Sequence, residues 1–599
     1  MRARRYVVLA PLAVVVAGLI LLGAAPKTGP EAPSKGTPAL PKVRVLEVVL
    51  SGEIGETAQV AMPFGPRGKL LRDFTASIRK AATDESIKAL ILRVAMPELG
   101  MARLQELVDA LAEFRATGKK VYCYFQICSN RDYLLACAAN RVIAPAEGML
   151  LLTGLSAEVM FFKRMLDWLG IKADIVFIGK NKSAGEPFTS TAMSDENRRV
   201  FNELIDDVYG QFVAMIAKGR NLAPDKVREA IDRGPYGARE AAKAQLIDEV
   251  AYFDDLVESI GKELGGTVDL VKDYHRLGRQ GPDLSEFNLF SFFAALQPKP
   301  EIPAGKQPKI AIIYASGMIA FGGEGLGLLG QVITADVIGK AFDKVRKEPS
   351  VKAVVLRIDS PGGSALASDL IWHEVERTRR SGRVVIASMS DVAASGGYYI
   401  AMGADAIVAE PLTITGSIGV IGGKLALKGL YDKIGLDTET FTRGKNATLF
   451  SLTSEFTAGE RERMKAMMTD TYDDFVKKAS EGRKIPLEKM KELATGRVWT
   501  GRAAKEIGLV DQLGGLKDAY DLAVKRANLE GQDVMPIILP REKSILELLF
   551  DMGAVGRTNL HAGAVVPESL LRRVPYFAIV ELLTRERLFM LMPHFVDIR

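Results

Sequence analysis

At 599 residues, 48% hydrophobic and 25% charged, the chain has the ordinary make-up of a globular protein with large packed cores. Its 79 Lys+Arg stand against 73 Asp+Glu, a net charge of +6 that is interspersed rather than clustered and makes no case for nucleic acid. Three cysteines (Cys123, Cys128, Cys137) and four scattered histidines offer no zinc spacing. The cysteines read as small buried hydrophobes, with a disulfide the alternative if the chain is exported.

Taken in chain order, Arg2, Arg4 and Arg5 precede an uncharged apolar run from Tyr6 to Pro26. That run approaches the roughly 20 residues needed to cross a bilayer. The basic flank is expected to stay cytoplasmic, which places the rest of the chain outside the inner membrane. Residues 1–26 are therefore read as a single-pass anchor, with a cleaved signal peptide ending near Gly23-Ala24-Ala25 as the alternative. A Pro/Gly/Lys-rich linker follows to residue 42.

Beyond the linker the chain repeats itself. SIKALILRV at 86–94 matches SVKAVVLRI at 350–358, an offset of 264 residues. YLLACAANRVIA at 133–144 matches YYIAMGADAIVA at 398–409, and AREAAKAQLIDEV at 238–250 matches GRAAKEIGLVDQL at 501–513. The order holds at a nearly constant offset through some 200 residues, which implies two homologous domains, 43–270 and 309–530, joined by a Pro-containing connector, 271–308. In the second, KAVVLRID reads as a strand, SALASDLIWHEVERTRR as a helix, RVVIASMS as a strand and GGYYIAMGA as a helix start. Such alternation predicts parallel β-α units and an α/β fold. AGERERMKAMMTDTYDDFVKKASEGR is a charged amphipathic helix suited to packing. The tail, 531–599, leaves the repeat; its Met-, Phe- and Leu-rich stretches, RLFMLMPHF among them, read as core or subunit contact, with a membrane-surface or substrate-groove role as the alternative.

Chemistry concentrates in two turns of the second repeat. Asp359-Ser360-Pro361-Gly362-Gly363-Ser364 lies between a strand and a helix, and its paired glycines can expose backbone N–H groups to an oxyanion. Ala394-Ser395-Gly396-Gly397-Tyr398 repeats that setting with a serine at a helix start. Alone, the first is an ordinary β-α loop and the second an ordinary N-cap. Together, on adjacent loops of one unit, they make an oxyanion cradle and a nucleophile. A serine nucleophile needs a base. No histidine lies in a segment that looks catalytic, and no Gly-x-Ser-x-Gly elbow is present. A buried lysine can serve if desolvation lowers its pKa. Asn181-Lys182-Ser183-Ala184-Gly185-Glu186-Pro187-Phe188 follows the strand ADIVFIG and holds one candidate, but lysines are ordinarily solvated and the pattern alone does not select it.

The A-S-G-G-Y turn, the S-P-G-G-S loop, T-G-S-I-G at 415–419 and K-S-A-G-E-P-F at 182–188 together resemble the signal peptide peptidase A (protease IV) family in its long, two-repeat form, over roughly residues 43–530. The resemblance implies two tandem domains of the Clp-protease/crotonase type. It implies a Ser–Lys dyad with Ser395 as nucleophile and Lys182 as general base, Ser417 orienting the lysine, and Gly362 and Gly363 giving oxyanion amides. It further implies a membrane-anchored endopeptidase on the extracytoplasmic side, a homotetramer, remnant signal peptides as substrates, and no metal or cofactor. The first repeat supports the division of labour. Its counterparts of Ser395 and of Ser360-Pro361-Gly362-Gly363 are read as Asn130 or Arg131 and as Ala95-Met96-Pro97-Glu98, which lack serine and paired glycines. Lys445, near the second-repeat counterpart of Lys182, is the alternative base. Two rival readings stand beside the protease: a crotonase-type acyl-CoA enzyme, which would not need Ser395, and a non-catalytic membrane scaffold with a structural serine.

Overall fold

Valines, isoleucines and leucines buried on both faces of a strand favour parallel sheets covered by helices on either side. Both repeats build one. In the computed structural model, which describes residues 40–57, 68–272, 274–275, 302–321, 332–541 and 588–592, the first repeat contributes β1 (Lys42–Gly55), β2 (Ile87–Glu98), β3 (Lys120–Phe125), β4 (Arg141–Ala144), β5 (Lys172–Ile178), β6 (Glu249–Val250) and β7 (Thr267–Val271). The second contributes β8 (Lys309–Ser316), β9 (Val351–Ser360), β10 (Gly362–Ser364), β11 (Val384–Ala394), β12 (Ala406–Ala409), β13 (Ile414–Gly416), β14 (Val420–Ala426), β15 (Gln512–Leu513) and β16 (Met535–Leu539).

The first sheet contains the path β6-β4-β3-β2-β1-β7 and the second the path β15-β12-β11-β9-β8-β16, with every pairing along these two paths parallel. The strand order is the same in both, so the repeat seen in the sequence is a repeat of topology. β16 lies past residue 530 and is the counterpart of β7, so the second sheet draws one strand from the tail. Each sheet is faced on both sides by apolar clusters, for example Leu90, Leu92 and Leu107 on one face of the first and Ile91, Tyr122 and Ile260 on the other. Burying each such side chain stabilises the fold by about 1.5–3 kcal/mol before chain entropy is counted.

Two features bind the repeats together. β5 of the first pairs antiparallel with β14 of the second over its full length, from Lys172↔Ala426 to Ile178↔Val420. Arg357, fully buried on β9, meets Glu56 and Glu106 of the first repeat. The helices used below are α1 (Met101–Ala116), α2 (Ala365–Arg380), α3 (Gly396–Ala401) and α4 (Ala458–Arg483). α1 and α2 are 264 residues apart at both ends. That spacing sets Met96-Pro97-Glu98-Leu99 against Ser360-Pro361-Gly362-Gly363, one residue on from the alignment by eye, and still without serine or glycine. α4 is the charged amphipathic helix, started by a capping box of Thr457 and Glu460. No helix among the described residues is long and apolar enough to cross a membrane; the run Tyr6–Pro26 lies outside them.

Candidate active site

β11 ends at Ala394 and α3 begins at Gly396, so Ser395 takes the whole change of direction between them. Its backbone sits at φ 57°, ψ −112°, a strained conformation for a side-chain-bearing residue, costing of the order of 1–3 kcal/mol. Two bonds hold it there: Ser395 N donates to Gly416 O at 2.8 Å, and Tyr399 N donates to Ser395 O at 2.8 Å. Ser395 is completely buried.

Lys182 follows β5, the strand that crosses to the second repeat, and so arrives beside the serine from the other domain. Its Nζ lies 2.7 Å from Ser395 Oγ, 2.7 Å from Ser417 O and 2.8 Å from Ser417 Oγ. Burial holds the amine well below its usual value of 10.5, and no carboxylate opposes that shift. A neutral amine gives its two N–H bonds to the carbonyl and hydroxyl of Ser417 and keeps its lone pair for the Ser395 hydroxyl.

Gly362 and Gly363 adopt φ 107° and 150°, which side-chain-bearing residues rarely enter. The Gly362 amide donates to Ser360 Oγ at 3.2 Å. A Cβ at 362 would stand 1.9 Å from Met590 O and 2.9 Å from Gly396 N, so the missing side chain lets a main-chain carbonyl approach the amide that follows Ser395. Lys445 is exposed in a turn. The structure thus brings Ser395, Lys182 and Ser417 together, sets Gly362 beside the Gly396 amide, and leaves Lys445 in solvent.

One part of the site escaped the sequence reading, and a second was legible only as the substrate-groove alternative for the tail. Thr495-Gly496-Arg497 brackets Lys182: Thr495 O accepts from Asn181 N at 2.6 Å and Arg497 O accepts from Ser417 N at 2.7 Å. Between them, a Cβ at Gly496 would stand 2.7 Å from Lys182 N. The glycine was the one available signal. The second part is a strand from the tail, β17 (Phe589–Leu591), lying between β10 and β14 and antiparallel to both. Gly363 pairs with Met590, Ala365 N donates to Leu588 O at 3.2 Å, and Met592 N donates to Pro361 O at 3.0 Å. Phe589 and Leu591 pack with Ile175, Phe188 and Ile421, while Met590 joins the main core of the second repeat. The space beside Ser395 therefore holds an extended apolar segment with alternate side chains on opposite walls.

A buried serine on a strained strand-to-helix turn, with a buried lysine from the other repeat 2.7 Å from its hydroxyl and an extended strand seated beside them, defines a site of the peptidase class. The sequence pattern of Peptidase family S49 matches residues 113–266 and 377–530, at the same 264-residue offset. The chain is 34% identical to "Serine protease SPPA, chloroplastic" of Arabidopsis thaliana, over 82% of this chain and 70% of that one. It is 30% identical to "Protease 4" of Salmonella typhi, over 84% of this chain and 78% of that one. Among solved structures, ClpP1 from Listeria monocytogenes is 14% identical, covering 35% of this chain and 92% of its own, with a TM-score of 0.21. The chain belongs to Peptidase family S49.

Proposed function

We propose that this chain is a serine endopeptidase in which Ser395 is the nucleophile, Lys182 the general base and Ser417 the residue that orients the lysine. The observation that carries the reading is the 2.7 Å approach of an uncompensated, buried Lys182 Nζ to Ser395 Oγ. As Oγ attacks the scissile carbonyl, its proton passes to the Nζ lone pair and the carbonyl oxygen becomes an oxyanion. Amides of the Gly362–Gly363 turn and of Gly396 stabilise that charge, an effect worth roughly 10²–10³ in rate per donor. Collapse of the tetrahedral intermediate breaks the C–N bond, and the ammonium returns its proton to the leaving amine. Water, deprotonated by the same nitrogen, then releases the acid and restores Ser395.

The substrate is an extended apolar peptide added as a strand in the place β17 takes, with main-chain bonds giving affinity and alternate pockets giving selectivity. The N-terminal anchor, an extracytoplasmic active site, remnant signal peptides as substrates and a homotetramer belong to the same proposal. The basic flank Arg2, Arg4 and Arg5 and the family membership support them. The test uses the full chain in detergent, a fluorophosphonate probe and an apolar peptide ester. Wild type is expected to label and turn over, while Ser395→Ala does neither and Lys182→Ala turns over at most a trace. Labelling that persists in Ser395→Ala would place the nucleophile elsewhere.

A further inference from the structure

The two repeats start their equivalent helices differently. In the second, Ser364 caps α2 with its own hydroxyl, which accepts from Ala367 N at 3.3 Å. The first-repeat counterpart of Ser364 is Gly100, and α1 has no side-chain cap from its own N-cap residue. Its free amides are taken by the other domain. Asp391 Oδ1 accepts from Ala102 N at 2.9 Å and from Arg103 N at 3.0 Å, the latter being the counterpart of Ala367 N. Asp391 Oδ2 accepts in addition from Arg103 Nε. A Cβ at Gly100 would stand 2.1 Å from the Asp391 carboxyl carbon, so the glycine makes room for the incoming carboxylate. The turn that forms the oxyanion loop in the second repeat is, in the first, a socket for an aspartate of the second.

Asp391 lies on β11, four residues before Ser395. Its neighbour Val392 donates its N–H to Asp359 Oδ1 at 3.2 Å, and Asp359 directly precedes Ser360-Pro361-Gly362-Gly363. Arg103 donates onward to Ile54 O at 2.8 Å, so it is fixed within its own repeat. The two side chains are 18% and 13% exposed, which limits screening of the pair. The strand end carrying the nucleophile and the loop carrying the oxyanion amides are thus tied to each other and, through one carboxylate, to the domain that delivers Lys182.

We propose that Asp391 is a positioning residue: by capping α1 of the first repeat from the strand that bears Ser395, it sets the serine and the Gly362–Gly363 turn in register with Lys182. This rests on the Ser–Lys reading above. A dyad split between two domains needs such a tie, because misplacing reacting groups by about 1 Å can cost 10²-fold in rate.

The experiment compares full-length wild type, Asp391→Asn, Asp391→Ala and Gly100→Ser/Asp391→Ala, measuring Tm, kcat and KM on the peptide ester and the rate of fluorophosphonate labelling. Asp391→Asn is expected to lower kcat and the labelling rate about tenfold while KM stays within about twofold, the signature of lost transition-state alignment. The double variant gives α1 a serine cap of its own, as α2 has, in the space the carboxylate vacates. Its Tm is expected to return to that of wild type while kcat stays low. Recovery of kcat together with Tm would reduce Asp391 to a helix cap and overturn the proposal, as would wild-type kinetics in Asp391→Asn. Should Ser395→Ala still label, the Ser–Lys reading falls and this inference with it; loss of labelling there with normal Asp391→Asn removes the inference alone.

Discussion

Ser417 meets Lys182 twice, through its carbonyl at 2.7 Å and its hydroxyl at 2.8 Å. It does so from a left-handed backbone position, φ 53°, held by the bond from its N–H to Arg497 O. In the proposed dyad the two acceptors take both N–H bonds of a neutral amine, and its lone pair is left for the Ser395 hydroxyl. Ser417→Ala removes one acceptor and keeps the other. The amine can then rotate, and kcat is expected to fall roughly 10–100-fold, the range for general-base alignment. KM should change little, because Ser417 touches the base and not the peptide groove. Steady-state kinetics on the peptide ester decide this; a rise in KM at unchanged kcat would assign Ser417 to substrate binding.

Burial holds the Lys182 amine well below 10.5, which has consequences for rate and stability in the same direction. The proposed reaction needs the neutral amine, so the acid limb of kcat/KM should lie well below 10.5 and rise with pH. For stability, the unfolded lysine binds a proton that the folded one does not between the depressed native pKa and 10.5. Folding is therefore penalised below that window, the penalty shrinks as pH rises through it, and it is gone above 10.5. Lys182→Met escapes this titration. The Tm of wild type relative to Lys182→Met should climb with pH across the window. A difference flat in pH would mean that the amine is not depressed.

The features legible in the sequence are those written locally. Val351–Ser360 and Val384–Ala394 are rich in β-branched and other apolar residues, and glycines at 362–363 and 396–397 punctuate the turns that follow them, so strands, helices and the serine turn could all be read from neighbours in the chain. Lys182 could not: it is one lysine among many, and what selects it is burial against residues over 200 positions away. Thr495-Gly496-Arg497 carries no side chain that announces chemistry, and it contributes two carbonyls and an empty space. Asp391 carries no signal of its own in the sequence, and only the fold places Gly100 beside it. Lys445, attractive by repeat position, sits on a turn with no partner strand to carry it inward.

The tail strand makes its own prediction. Phe589, Met590 and Leu591 are buried at 2%, 1% and 1% exposure in the groove between β10 and β14. An incoming peptide must displace them to pair with Gly362–Ser364. A chain ending at residue 586 is expected to hydrolyse apolar peptides with a lower KM, by roughly tenfold if about 1.4 kcal/mol of competing strand contact is lost. A synthetic peptide carrying LFMLM should inhibit that shortened chain more strongly than the full one. Equal KM in both chains would mean that substrate does not use the β17 position.

The deepest contact between the repeats is ionic. Arg357, with no exposure, donates to Glu56 Oε1 at 2.5 Å and to Glu106, and Ser390 Oγ donates to the same Glu56 oxygen at 2.6 Å. Glu56 and Glu106 belong to the first repeat, Arg357 and Ser390 to the second. Removing Glu56 leaves a buried guanidinium short of charge, which costs roughly 3–5 kcal/mol in comparable buried pairs. Because Ser395 and Lys182 come from opposite sides of this interface, Glu56→Ala is expected to lose activity in parallel with stability as urea is raised. Replacing the set together, as Arg357→Met/Glu56→Leu/Glu106→Leu, removes both charge and partners and should recover much of the stability, since apolar side chains of similar volume avoid the desolvation penalty. Urea titration followed by tryptophan fluorescence measures both, and a Glu56→Ala midpoint equal to wild type would show that Glu106 alone satisfies Arg357.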